Sequence, residues 1–118
     1  MDWELEQWLP PAASPEDLVR ALEEPVRDVA IGELAWMLDL PLWRDERGSP
    51  LRPLDVVSGP ELERVHAADI SLPLVVTGCN GRLVVVDGVH RLLKAARLRE
   101  ATVPVCELRP AQLERAAA

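Results

Sequence analysis

No phenylalanine and no tyrosine occur in the 118 residues, so four tryptophans are the only aromatics. A core must therefore be packed from Leu, Val, Ile and Ala. Cysteine is scarce too. Cys79 and Cys106 form no CxxC pair and show no Cys/His ligand spacing, which excludes a structural zinc of the usual kinds. Positive charge is in deficit, with a net charge of −7. That argues against a general DNA binder, because non-specific affinity comes from neutralising phosphates. No apolar run approaches the ~18 residues of a membrane span, and no charged-then-apolar leader opens the chain. The expectation is a soluble cytoplasmic protein with no membrane partner. What is present is a hydrophobic fraction of 48%, which argues for a globular chain over a disordered one. The length suits one domain.

The charge is unevenly spread. Residues 1–40 hold ten acids and two bases, whereas residues 82–118 hold four acids and seven bases. The basic third is built around one stretch, Val84-Val85-Val86-Asp87-Gly88-Val89-His90-Arg91-Leu92-Leu93-Lys94. The β-branched run predicts a buried strand. Asp87-Gly88 breaks it and a helical pattern starts at once. A helix N-terminus leaves backbone N–H groups unpaired, and its dipole favours negative charge. Gly88 lets the backbone approach a ligand with no Cβ in the way. His90, Arg91 and Lys94 share one helical neighbourhood, and Arg97 extends it. Arg91 can donate a planar fork to a phosphate and His90 one N–H. Asp87 could hold Mg²⁺ or accept a proton. The plain alternative is an ordinary strand-to-helix turn with Asp87 as N-cap and solvated basic side chains.

Around this corner the chain predicts a small α+β domain with a mixed sheet of about four strands. Residues 1–25 form a helical arm carrying Trp3 and Trp8, with Ser14 as the N-cap and Pro15 at the first position of a helix. The core spans 26–108, and 109–118 form a C-terminal helix. Within the core, 26–31 alternate as a strand, with Val29 and Ile31 on one face. Glu33 to Leu38 form a short helix, and 44–50 an exposed charged loop. A helical turn begins at Pro53, and a helix carrying His66 begins at Ser58-Gly59-Pro60. Residues 72–77 and 82–86 are strands joined at Gly78-Cys79-Asn80-Gly81, since Asn-Gly between β-rich runs marks a hairpin. A helix from Val89 to Arg99 leads to a strand at 102–108, whose Pro104 predicts an edge position or a strand end. The crossover from 82–86 to 102–108 is expected to be parallel. His66 reads as a surface or packing residue. Trp36 and Trp43 read as core residues that could alternatively close over a ligand.

Val84 to Leu108, with Val-Asp-Gly-Val-His-Arg-Leu and the later Val103-Pro104-Val105, resembles the nucleotide-binding domain shared by ParB and sulfiredoxin. In that superfamily an apolar strand enters a Gly-x-His-Arg or Gly-Glu-Arg-Arg turn. The resemblance implies that the turn cradles the phosphates of ATP, ADP or CTP, a role carried onto Gly88, the Val89 backbone N–H, His90 and Arg91. Sulfiredoxins place a reactive Cys just before the His-Arg pair. Val89 stands there, which argues against sulfinic-acid chemistry. ParB has Glu-Arg at the positions of His90 and Arg91 and a helix-turn-helix domain afterwards, so CTP-gated DNA clamping is not expected.

Free-serine kinases share the Asp-Gly-x-His-Arg pattern of Asp87 to Arg91. Such chemistry needs a carboxylate base, for which Glu33 is the candidate ahead of Asp39. Otherwise Glu33 is a helix-start acid stabilised by the dipole. The expectation is thus a nucleotide- or phosphate-binding domain. It could act in Mg²⁺-dependent phosphoryl transfer or nucleotide hydrolysis through Asp87, His90 and Glu33. A non-catalytic ligand or interaction module, a homodimer, and a ParB-like nuclease or DNA-associated protein are the alternatives.

Overall fold

The computed structural model describes residues 24–108 together with Pro15 and Glu16. Most of the expected N-terminal arm and all of the expected C-terminal helix lie outside the described residues. Pro15 and Glu16 are helical and exposed.

Residues 24–108 hold six strands and two α-helices: β1 (Arg27–Ala30), β2 (Trp43–Arg44), β3 (Pro50–Leu51), α1 (Gly59–Ala67), β4 (Leu74–Cys79), β5 (Arg82–Asp87), α2 (Val89–Arg97) and β6 (Thr102–Leu108). Three 3-10 turns lie at Ile31–Glu33, Ala35–Asp39 and Pro53–Asp55. The main sheet has four strands in the order β1-β6-β4-β5. It is mixed: β6 pairs antiparallel with β1 and parallel with β4, and β4 pairs antiparallel with β5. The fold is the expected α+β arrangement.

Strand periodicity divides the core into two. Val29, Leu74, Val76, Val103 and Val105 point to the face covered by Leu34, Met37, Leu38, Val56, Val65, Leu92 and Leu93. Val75, Cys106 and Leu108 point the other way and pack with Val86. Thr77 shares that second face, since alternate strand residues point the same way. It is the one fully buried polar residue described, and its hydroxyl donates to the Leu108 carbonyl at 2.7 Å. Thr77→Val keeps the shape and strands that carbonyl. It is expected to cost ~1–2 kcal/mol, read from the urea midpoint.

The hairpin forms as predicted. Asn80 (φ 52°) and Gly81 (φ 78°) both adopt the left-handed backbone of a tight two-residue turn. Four expectations are corrected. First, β5 and β6 are not a parallel pair, because β4 lies between them and runs against β5. The long apolar run of β4, buried on both sides, takes the central place. Second, Pro104 lies on an interior strand. The ladder to β4 begins one residue later, at Leu74↔Val105, so the missing N–H deprives no β4 partner.

Third, the short helix expected at 33–38 is a 3-10 helix and spans Ala35–Asp39. Met37 N–H donates to the Leu34 carbonyl, a three-residue spacing that turns both buried side chains inward. The 35–39 turn also covers the outer edge of β5. Trp36 Nε1–H donates to the Leu83 carbonyl at 3.2 Å, and Val85 N–H donates to Met37 Sδ at 2.9 Å. Unpaired strand groups are thereby withheld from other chains. Fourth, the charged loop carries a two-strand ribbon, β2–β3. The Asp45 carboxylate accepts the N–H groups of Arg47 and Ser49 and organises the turn.

Two exposed carboxylates are held below the usual range. Asp69 accepts the hydroxyl and the N–H of Ser71, and Asp55 pairs with Arg52. A depressed folded-state pKa adds stability above the ordinary carboxylate range, and that stability is lost as pH falls through the folded value. The melting temperature is therefore expected to fall on acidification below about pH 4. Asp69→Asn should flatten part of that fall, because it removes the contribution present at neutral pH and leaves the acid value less changed.

Candidate functional site

The corner between β5 and α2 is set by Gly88. Its φ of 114° lies in the region that favours glycine, and it serves as the N-cap of α2. A Cβ there would come within 3.0 Å of Leu74 Cγ and 3.3 Å of Arg91 Nη1. The first intrahelical bond runs from Leu92 N–H to the Gly88 carbonyl. The N–H groups of Val89, His90 and Arg91 precede it. No side chain caps this end, and no acidic residue stands in the first turn of α2. The alternative with Asp87 as N-cap is therefore not what the chain adopts. The N-terminus of α1 differs. Glu61 lies in its first turn, and the Glu46 carboxylate lies 3.1 Å from where a Cβ of Gly59 would be.

Arg91 donates from Nη1 to the Pro73 carbonyl at 2.9 Å, and its Nη2 lies 3.8 Å from Asp87 Oδ2. One face of the guanidinium is thus anchored to the segment leading into β4. The Asp87 carboxylate is about half exposed, at 46%. His90 is more tightly held. Its Nε2 is 2.9 Å from Glu61 Oε2, and its ring stacks on Trp43 with centroids 4.6 Å apart and planes 17° apart. Glu61 also accepts from Arg64 at 2.9 Å.

Lys94 and Arg97, expected to extend a basic face, reach backbone carbonyls. Lys94 Nζ donates to His66 and Ala68 at the end of α1, each at 2.7 Å, and Arg97 donates to Val56 at 2.7 Å. Favourable placement of a cation at a helix C-terminus accounts for Lys94. With His90 beside the start of α1 and Lys94 beside its end, the two helices run side by side in the same sense.

Gly88, Val89, His90, Arg91 and Asp87 are thus brought to one corner, while Lys94 lies a helical turn on. Glu33 is exposed in the first 3-10 turn. Among the described residues no hydrogen bond or ion pair joins it to Asp87, His90 or Arg91. Asp39 binds Arg52. His66 is exposed and contributes its carbonyl. Trp43 and Glu61 are the residues that sequence reasoning did not connect to His90. No short-range signal marks them, since Glu61 is 29 positions away. A cleft of about 430 Å³ lies beside them. It runs between Arg44–Arg47 of the ribbon and residues 56–61, with Glu61 in its wall and none of Asp87 to Arg91 in its lining. No group of three or more metal-ligating side chains occurs among the described residues. No helix among them is long and apolar enough to cross a membrane.

No protein-family model and no curated protein matches the sequence. Solved structures to which the fold is similar include the following two. One is the C-terminally truncated chromosome-partitioning protein ParB from Caulobacter crescentus, crystallised with CTP-gamma-S. It is 18% identical over 77% of this chain and 49% of that chain, with a TM-score of 0.43. The other is sulfiredoxin from Arabidopsis thaliana, 13% identical over 80% of this chain and 98% of that chain, with a TM-score of 0.44. Both names of the resemblance read from the sequence thus occur among the structures this fold is similar to. The chain spans about half the length of the ParB chain it matches.

Proposed function

We propose that the β5–α2 corner binds the phosphates of a nucleotide. The observation that carries this reading is the uncapped start of α2 behind Gly88, with His90 and Arg91 in its first turn and no acid there. Backbone N–H groups and the helix dipole favour an anion at such a place. Arg91, anchored by one nitrogen to Pro73, keeps further donors for a phosphate oxygen. The ligands proposed are ATP, ADP or CTP, held by Gly88, the Val89 N–H, His90 and Arg91, with Lys94 adding positive charge from one turn further along.

Mg²⁺ usually takes one or two carboxylates and shares the nucleotide phosphates. Asp87, half exposed and loosely paired, fits that pattern as a single protein carboxylate. The ion would supply charge neutralisation. Phosphoryl transfer or hydrolysis would use Asp87 or His90 as the proton-handling group, with Glu33 as the more remote candidate. The distribution of the basic side chains favours a second reading, a binding module without turnover. Lys94 and Arg97 serve backbone carbonyls, and among the described residues no hydrogen bond or ion pair joins Glu33 to the corner.

Calorimetric titration of ATP, ADP and CTP with Mg²⁺ tests the first tier. Saturable binding of at least one is expected. No binding of any would sink the nucleotide reading. Binding without phosphate release or transfer over a panel of hydroxyl acceptors would leave the module reading.

A further inference from the structure

His90 stands out among the charged or titratable side chains of the first turn of α2. It is held both by a carboxylate and by a stacked aromatic ring. We infer that Glu61 is a positioning residue for His90: it presets which imidazole nitrogen carries the proton and aims the other at the phosphate-binding corner. This rests on the proposed phosphate site and goes beyond it, because among the described residues the hydrogen bonds of the Glu61 carboxylate are to His90 and Arg64.

Glu61 Oε2 is 2.9 Å from Nε2, and a carboxylate accepts only, so Nε2 carries the hydrogen. The neutral ring then has its lone pair on Nδ1, the nitrogen next to Cβ and nearer the α2 backbone. Nδ1 is thereby left as an acceptor, able to take a hydrogen bond from a protonated phosphate oxygen or from a water bridging to the phosphate. Rotation is the other freedom a histidine has. The Trp43 ring, stacked at 4.6 Å and 17°, blocks it on one face. Glu61 is itself fixed, since Arg64 holds its Oε1 while Oε2 takes His90. Its side chain is only 19% exposed, so water competes weakly for the pair. The bond also joins the first turns of the two parallel helices. A change of ligand at α2 would therefore be felt at the wall of the neighbouring cleft, where Glu61 stands.

The chain has two histidines, and the exposed His66 is an internal reference. Long-range proton–nitrogen spectra of the ¹⁵N-labelled protein report the tautomer of each. His90 is expected to carry its proton on Nε2, and His66 to show the mixture of a solvated ring. Glu61→Gln, whose amide can donate as well as accept, should move His90 to a mixture. It should weaken inorganic pyrophosphate binding about tenfold with little change in melting temperature. Arg64→Ala, which leaves the Glu61–His90 pair in place, should keep affinity within about twofold. Wild-type His90 with the same mixture as His66 overturns the inference, as does Glu61→Gln protein that binds pyrophosphate as tightly as wild type. Wild-type protein that binds neither pyrophosphate nor any nucleotide overturns the phosphate site instead, and the spectra then still decide whether Glu61 presets the ring.

Discussion

Gly88→Ala is expected to destabilise the protein by about 2–3 kcal/mol and to abolish nucleotide binding. Two effects add. The φ of 114° is one that L side chains rarely adopt, so alanine strains the backbone or leaves this conformation. The new Cβ would also meet Leu74 Cγ at 3.0 Å and the Leu74 backbone at 3.5 Å. Leu74 is fully buried in the central strand, so it cannot yield without disturbing the core. The relief available is a shift of the α2 start, which moves the N–H groups of Val89, His90 and Arg91 together. Gly81→Ala is the control. Its φ of 78° carries the strain, but no atom lies within 4 Å of the added Cβ. It should cost only ~1–2 kcal/mol and leave binding intact. Denaturant unfolding followed by tryptophan fluorescence measures both variants. Equal losses would show that the corner is not crowded, and the reading of Gly88 as a close-approach position would fail.

Arg91→Ala is expected to weaken nucleotide affinity about 100-fold while costing only ~1 kcal/mol of stability. The stability part comes from the Pro73 carbonyl, which loses the donor at 2.9 Å. Near the surface, water can replace it. The affinity part comes from the remaining guanidinium donors, aimed from the first turn of an uncapped helix. Arg91→Lys should recover a minority of the loss, because a point charge replaces a planar fork. Arg97→Ala separates the two contributions. That residue also donates to a carbonyl, Val56 at 2.7 Å, but lies two turns along α2. It should lower stability by a similar amount with affinity nearly unchanged. Titrations at two salt concentrations check the assignment, since losing a phosphate contact weakens the salt dependence. Arg91→Ala protein that binds as tightly as wild type would remove Arg91 from the site.

Legibility followed range along the chain. The hairpin was readable because Asn80-Gly81 sits between two β-rich runs and supplies both left-handed residues itself. Gly88 was readable because a glycine between a valine run and a helical pattern has few uses. The mixed α+β character followed from the alternation of such local signals. The 3-10 turns at 31–39 were not readable. Their geometry comes from Leu34, Met37 and Leu38 being drawn onto the sheet, not from helix propensity. The interior place of Pro104 was hidden for a related reason, since it depends on where the ladder to β4 begins.

The amino-acid sequence by itself determined the four strands of the main sheet, the two helices, the two tight turns and the residues that meet at the β5–α2 corner, because each depends on neighbours a few positions apart. Tertiary structure alone decided which strands pair, which basic side chains serve backbone carbonyls, and that Trp43 and Glu61 hold His90. These choices depend on side chains tens of residues apart competing for the same donors and the same buried surface. No local pattern records the outcome of that competition.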